Sequence, residues 1–197
     1  MITEIIKSLH ATRCKIRDHK NYPDKPGIYA FFLSDKTTLG QFGIGQQVIY
    51  IGIAKKSLID RDINQHFKPD ASGSSSLRRS MGAILKNKFT LKAIPRSNNS
   101  NDKKRFCNYK FSTDNEDILS KWMDSNLTIG YWVDSRNIDY SKLRELEKEI
   151  TKKLLPTLDL DPRTRKINTC AIALSSLRKI CREEAKTYIL VSNKTNK

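Results

Sequence analysis

Apolar residues recur along the chain at two different spacings, one typical of strands and the other of helices. Three stretches rich in β-branched and aromatic residues, at about 27–34, 47–53 and 127–133, have the composition of strands. A polar stretch rich in Gly, Ser and Thr joins the first two, which predicts a long hairpin connection. Together these stretches predict a small sheet.

The second predicted strand shows a clear two-residue alternation. Ile49, Ile51 and Ile53 alternate with Tyr50 and Gly52. Because successive side chains of a strand point to opposite faces of a sheet, Tyr50 is predicted on the face opposite the isoleucines.

Helical spacing of apolar residues surrounds these strands. The predicted helices cover about 1–12, 56–67, 75–88, 112–126, 139–155 and 170–186. Residues 96–110 predict a polar, basic loop, and residues 187–192 could form a terminal strand. This order predicts an α+β fold, with a small three-stranded, mainly antiparallel sheet flanked by helices.

The length of 197 residues suits a single domain over 1–197. We expect a core over about 24–160, with helical extensions at 1–20 and 168–197. No apolar stretch approaches the length of a membrane span, and the N-terminus lacks a signal-peptide pattern. The four cysteines are scattered without a CxxC pair, which predicts neither a zinc site nor a disulfide framework. We therefore expect a cytoplasmic protein with no membrane partner.

The charge balance is strongly basic. Lys and Arg number 37 against 21 Asp and Glu, which gives a net charge of +16. Such a surplus predicts a polyanionic partner, since neutralising phosphates releases counterions and steers association. Candidate contacts to nucleic acid, which are also compatible with ordinary solvated faces, are Lys55, Lys56, Arg78, Arg79, Lys103, Lys104 and Arg105.

One carboxylate of the 139–155 helix lies beside an apolar stripe. At about 100° per residue, Leu143, Leu146 and Ile150 form the stripe and Glu147 lies about 40° from Leu143, at the stripe edge. A carboxylate beside a buried face needs a positive partner. Periodicity leaves two interpretations open: Glu147 pairs with an arginine that faces the core, or it is a metal ligand or acid–base group in a cleft.

The 56–67 helix carries two weaker signals. Arg61 lies across from its apolar row, as most solvated arginines do, and His66 borders that row, as packed histidines do. Neither residue predicts a site by its position alone.

Two three-letter motifs give these residues a context. Gly-Ile-Tyr at 27–29 and Tyr-Ile-Gly at 50–52 resemble the paired motifs for which the GIY-YIG nuclease superfamily is named. That family has an arginine on the helix after the second motif, matched by Arg61. It often has a histidine or tyrosine one turn later, matched by His66.

The resemblance continues towards the C-terminus. The family has a glutamate on a later helix, about nine residues before a proline, matched by Glu147 and Pro156. The ordered set covers about 27–160. Many members have an asparagine three residues after the proline, where this chain has Asp159, and Asn168 is a candidate substitute further downstream.

The resemblance implies a divalent-metal-dependent endonuclease that hydrolyses phosphodiester bonds of DNA, most simply double-stranded DNA. It implies that Glu147 holds Mg²⁺ or Mn²⁺ and that Arg61 stabilises the negative charge developing on the phosphate. It also implies that Tyr29 is the general base, that Tyr50 orients water or phosphate, and that His66 hydrogen-bonds Tyr29 or the phosphate. The alternative is a non-catalytic nucleic-acid-binding domain on the same scaffold.

Overall fold

The computed structural model describes the backbone of residues 1–195 and the side chains of residues 1–188. Contacts divide the chain into two compact units: residues 1–64 with 123–171, and residues 65–122 with 172–197. The single domain expected over 1–197 stays a prediction. Residues 196–197 of the expected C-terminal extension lie outside the described residues.

The helices and the three longer strands follow the predicted order, and two short strands that were not predicted lie between the third and fourth helices. The helices are α1 (Ile2–Ala11), α2 (Leu58–Arg61), α3 (Ser76–Phe89), α4 (Thr113–Asn126), α5 (Tyr140–Leu154) and α6 (Ala171–Thr195). The strands are β1 (Gly27–Leu33), β2 (Val48–Ala54), β3 (Ala93–Ile94), β4 (Lys110–Phe111) and β5 (Leu127–Val133). None of the described helices is long and apolar enough to cross a membrane.

The first unit contains the predicted three-stranded sheet. Its order is β2-β1-β5, and both strand pairs are antiparallel. Tyr29 in the central strand pairs with Gly52 on one side and Tyr131 on the other. These features confirm the α+β fold with helices around a small antiparallel sheet.

One face of this sheet forms the core of the first unit. Ile28, Ala30 and Phe32 of β1 pack there with residues of α1 and α5. Since side chains alternate along a strand, Tyr29 and Phe31 lie on the other face.

Ile51 of β2 belongs to the core cluster and Ile53 packs against it, so Tyr50 lies on the face opposite these isoleucines, as predicted. The alternation breaks one residue earlier. The register shifts between Phe31 and Phe32, and Val48 rather than Ile49 joins the cluster. A strand irregularity of this kind changes which side chains face the core.

In the second unit, residues 96–109 contain neither helix nor strand, as the predicted basic loop requires, and β3 pairs with β4 in a two-stranded antiparallel sheet at the ends of this loop. The predicted terminal strand is wrong. Residues 187–192 continue α6 instead of forming a terminal strand. A helix satisfies its backbone groups internally, whereas a strand needs a neighbouring strand to do so.

Candidate active site

Tyr29 and Arg61 form a direct contact in the first unit. Tyr29 lies in the middle of β1, on the face away from the core cluster, and its side chain is fully buried. Arg61, the last residue of α2, donates a hydrogen bond of 3.1 Å from Nε to the phenol oxygen of Tyr29. The helix begins where Ser57 accepts a hydrogen bond from the backbone N–H of Asp60, which is the geometry of an N-cap.

Tyr50 packs beside Tyr29. Their rings stack with centroids 6.4 Å apart and planes inclined by 28°. Gly52, directly opposite Tyr29 across the strand pair, leaves room for the phenol, since a Cβ at position 52 would overlap its oxygen. The two motifs of the sequence are therefore parts of one packing arrangement.

The phenol of Tyr29 is neutral at neutral pH in the protein alone. Burial raises its pKa well above the ordinary value, and the neighbouring Tyr50 raises it further. The guanidinium of Arg61 acts in the opposite direction, because a positive charge and a donated hydrogen bond favour the phenolate. Arg61 is thus the group of this cluster that makes deprotonation of Tyr29 less costly.

Asp62 is a buried carboxyl that the sequence analysis missed. Its side chain is fully buried, and its Oδ2 accepts a hydrogen bond of 2.5 Å from the phenol of Tyr22. Its Oδ1 has no hydrogen-bond partner within the described residues. Burial raises its pKa well above the ordinary value. The available signal was its spacing, since it follows Leu58 by four residues and Ile59 by three, on the buried side of the helix.

Glu147 belongs to a second cluster of the same unit. It lies on α5 beside Leu146 and is only 5% exposed, as its angle on the predicted helix suggested. Its Oε2 accepts a hydrogen bond of 2.7 Å from Nη2 of Arg163. Burial raises the pKa of Glu147 to about 7, against the opposing effect of Arg163. The positive partner expected for this carboxylate is therefore Arg163.

The two candidates for the family asparagine hold the turn that follows α5. Asn168 donates from Nδ2 to the backbone oxygens of Thr157 and Asp159, at 3.0 and 2.6 Å. Asp159 accepts from the backbone N–H of Asp161 and from the hydroxyl of Thr164. Through these hydrogen bonds, both side chains stabilise the turn.

The second cluster contains carboxylate oxygens, which are the ligands that a hard cation such as Mg²⁺ prefers. Nη2 of Arg163 lies between Oε2 of Glu147 and Oδ2 of Asp161, at 2.7 and 2.9 Å, so a positive group fits between these two carboxylates. No group of three or more His, Cys, Asp or Glu side chains suited to a metal exists within the described residues. One or two carboxylates are nevertheless enough for Mg²⁺, which keeps several waters and binds substrate phosphate.

Tyr29 and Tyr50 occupy the face of the sheet opposite the one on which the apolar residues of α5 pack. The edge strand β2 also contacts α5, and Glu147 lies at the edge of the apolar stripe of that helix. The resemblance leads us to expect that Glu147 converges with the tyrosines and Arg61 on one cleft, and this stays a prediction.

His66 lies in the second unit, at the end of a π-helix that covers Asp62–His66. It is fully buried, and its Nδ1 lies 2.7 Å from the hydroxyl of Ser75. Its expected contact with Tyr29 or with phosphate stays a prediction.

The structure corrects the expectation that Arg78 and Arg79 grip DNA. Arg78 is fully buried and donates at 2.6 Å to Glu116, which is 1% exposed. Arg79 is 7% exposed and donates to the backbone oxygens of Ser72 and Gly73. Both guanidinium groups form hydrogen bonds inside the second unit, because a buried charge needs hydrogen-bond or ion-pair partners nearby.

The other basic candidates are more accessible. The side chains of Lys55, Lys56, Lys103 and Lys104 are exposed, and Arg105 is half-buried with its guanidinium over the ring of Phe106. Their contact with nucleic acid stays a prediction.

Comparison with protein families gives one match. Residues 27–180 match the family model described as the GIY-YIG catalytic domain. The matched segment begins at the first motif and includes both clusters described above. No match is found among curated proteins or among solved structures.

Proposed function

The chain belongs to the GIY-YIG catalytic domain family, a family of nucleases, and from this membership we propose that it is a divalent-metal-dependent endonuclease acting on double-stranded DNA. The observation that carries the proposal is the buried contact between Tyr29 and Arg61, with Tyr50 stacked beside it. A guanidinium held against a phenol favours the phenolate, which is the form that can accept a proton from water. Packing alone does not require this combination.

In the proposed reaction, Tyr29 first releases its own proton to solvent, and the phenolate then accepts a proton from the attacking water, which restores the phenol. Arg61 stabilises the phenolate before this transfer and the negative charge that develops on the phosphate. Tyr50 orients the water or the phosphate. Because the phenol of Tyr29 is fully buried in the protein alone, water and phosphate reach it only after a local rearrangement.

Glu147 would hold Mg²⁺ or Mn²⁺, with Asp161, which shares the guanidinium of Arg163 with it, as a second carboxylate in its cluster. When bound, such an ion polarises the phosphate and stabilises the leaving oxygen.

The test is a cleavage assay with purified protein on plasmid, single-stranded and branched DNA, with Mg²⁺, Mn²⁺ or EDTA. We expect nicked or linear plasmid with either metal and intact plasmid with EDTA. Cleavage that persists in EDTA would refute the metal requirement, and cleavage restricted to branched or single strands would change the substrate class.

The second candidate is a non-catalytic nucleic-acid-binding domain. The observations that favour it are the full burial of Tyr29 and the occupation of Glu147 by Arg163. It predicts DNA binding that is independent of metal and intact DNA under every metal condition, so the same assay with a parallel binding measurement separates the two.

A further inference from the structure

Arg163 bridges two carboxylates in the Glu147 cluster. One nitrogen of its guanidinium, Nη2, donates to Oε2 of Glu147 at 2.7 Å and to Oδ2 of Asp161 at 2.9 Å. A single positive group therefore joins the carboxylate expected to bind metal with a neighbouring one.

The guanidinium has other anchors that do not involve Glu147. Its Nε donates to Oδ1 of Asp161 at 3.0 Å, and its Nη1 donates to the backbone oxygen of Arg144 at 3.0 Å. Asp161 also accepts from the backbone N–H of Arg163, so the two residues are tied within one turn. Arg163 can thus release Glu147 and still keep most of its hydrogen bonds.

Glu147 and Arg163 differ in their access to solvent. The side chain of Glu147 is 7% exposed, whereas that of Arg163 is 23% exposed and reaches water. Glu147 therefore needs a cation nearby when it is ionised, but the cation need not be Arg163. Two cations close to the same carboxylate oxygen would repel each other by several kcal/mol at an effective dielectric constant of about 20.

We propose that Arg163 occupies the place of the metal ion at Glu147 in the metal-free protein and is displaced from Glu147 when the metal binds. Asp161 and the backbone of Arg144 keep the released guanidinium beside the site. Arg163 is then a positioning residue that lowers the metal affinity of Glu147. This inference rests on the proposed function, since it takes Glu147 as the metal ligand.

The test measures Mn²⁺ binding to the full chain by electron paramagnetic resonance, without DNA and without any activity readout. The pH is held above the Glu147 pKa of about 7 so that the carboxylate is ionised. The variants are Arg163→Met, which removes the competing charge, Arg163→Lys, which keeps the charge but not the fork, and Glu147→Gln. Arg96→Met is the matched control, since Arg96 forms a bidentate pair with Asp102 in the other unit.

We expect Arg163→Met to bind Mn²⁺ about tenfold more tightly than wild type, because one charge-assisted contact no longer competes with the ion. Arg163→Lys should have an intermediate dissociation constant, Arg96→Met that of wild type, and Glu147→Gln no binding. Thermal melting of each variant establishes that it is folded. If Arg163→Met does not fold, the Mn²⁺ dissociation constant of Arg163→Lys tests the inference.

Three outcomes overturn the inference in distinguishable ways. If Mn²⁺ binding depends on Glu147 but both Arg163 variants bind it equally or more weakly than wild type, Arg163 is a permanent structural partner and the proposed nuclease function stands. If Glu147→Gln binds Mn²⁺ as well as wild type does, Glu147 is not the metal ligand, and the metal assignment fails together with the inference. If neither wild type nor any variant binds Mn²⁺ without DNA, Arg163 competes with no ion in the free protein, and the inference alone fails.

Discussion

Nε of Arg61 lies 3.1 Å from the phenol oxygen of Tyr29, within a site where the phenol itself is fully buried. The contact joins the end of α2 to the central strand of the sheet. It brings a permanent positive charge to a group whose deprotonation is otherwise opposed by burial and by Tyr50. The chemistry proposed for this chain depends on that contact.

Tyr29→Phe should abolish cleavage and leave the fold intact. The change removes only the phenol oxygen, and loss of a general base typically costs about 10² to 10⁴ in rate. Tyr131→Phe is the matched control, since Tyr131 is the direct partner of Tyr29 in β5. Single-turnover cleavage and DNA binding of both variants check the prediction. Full activity in Tyr29→Phe would exclude Tyr29 as the base.

Glu147→Gln should abolish cleavage without weakening DNA binding. The amide keeps the size and hydrogen-bonding capacity of the carboxylate but not the charge that holds a metal ion. Glu149→Gln, on the same helix but paired with Lys152 at the surface, should be fully active. Retained cleavage with a lowered melting temperature would instead identify Glu147 as a structural partner of Arg163 alone.

Glu147 should also make stability depend on pH. Folding raises its pKa from 4.5 to about 7, so the folded protein holds this proton more tightly than the unfolded chain. The free energy of unfolding therefore falls as the pH rises from 4.5 to about 7, by about 3 kcal/mol in total, and is unaffected by this group above that range.

Denaturant unfolding at several pH values, with wild type and Glu147→Gln compared, isolates this contribution. The variant should gain stability relative to wild type as the pH rises through the window. Glu149→Gln should show no such gain, because Lys152 lowers the pKa of Glu149 instead of raising it. Parallel pH profiles for wild type and Glu147→Gln would contradict the prediction.

Arg78→Met should destabilise the protein and should not act through DNA contacts. The change leaves the carboxylate of Glu116 buried without its guanidinium partner, which typically costs about 3–5 kcal/mol. Lys186→Met is the control, since the Lys186–Glu183 pair is exposed and such pairs contribute about 0–1 kcal/mol. Denaturant unfolding measures both. Normal stability with weakened DNA binding in Arg78→Met would restore the original assignment of Arg78.

DNA affinity should fall steeply with salt and vary little with sequence. The net charge of +16 favours phosphate contacts, which release counterions. Lys103→Met and Lys104→Met should each reduce the slope of log K against log salt by about 1. Lys152→Met, which removes a lysine paired with Glu149, should leave the slope unchanged. A flat slope, or a strong preference for one short site, would count against this mode of binding.

Much of the first unit could be predicted from the sequence because its signals are local. The alternation of Ile51 and Ile53 with Tyr50 is a property of one strand, and the apolar stripe that flags Glu147 is a property of one helix. Both remain valid after folding, since the sheet and α5 use those same faces for the core.

The remaining features depend on contacts between distant residues. Arg78 lies 38 positions from Glu116, and Arg163 lies 16 positions from Glu147, so neither pairing has a local pattern. β3 and β4 contain two residues each, too few to show an alternation. Asp62 had a helical spacing that indicated burial, but its partner Tyr22 lies 40 positions away.

Gly52 has a consequence for how this protein can change by mutation. Its missing side chain is the space that the phenol of Tyr29 fills, although the two residues stand 23 positions apart. Even alanine at position 52 would displace the phenol and weaken its contact with Arg61. Gly52→Ala should therefore lower the cleavage rate, as expected for Tyr29→Phe. Loss of cleavage can thus follow from a mutation at a glycine, which itself takes no part in the reaction.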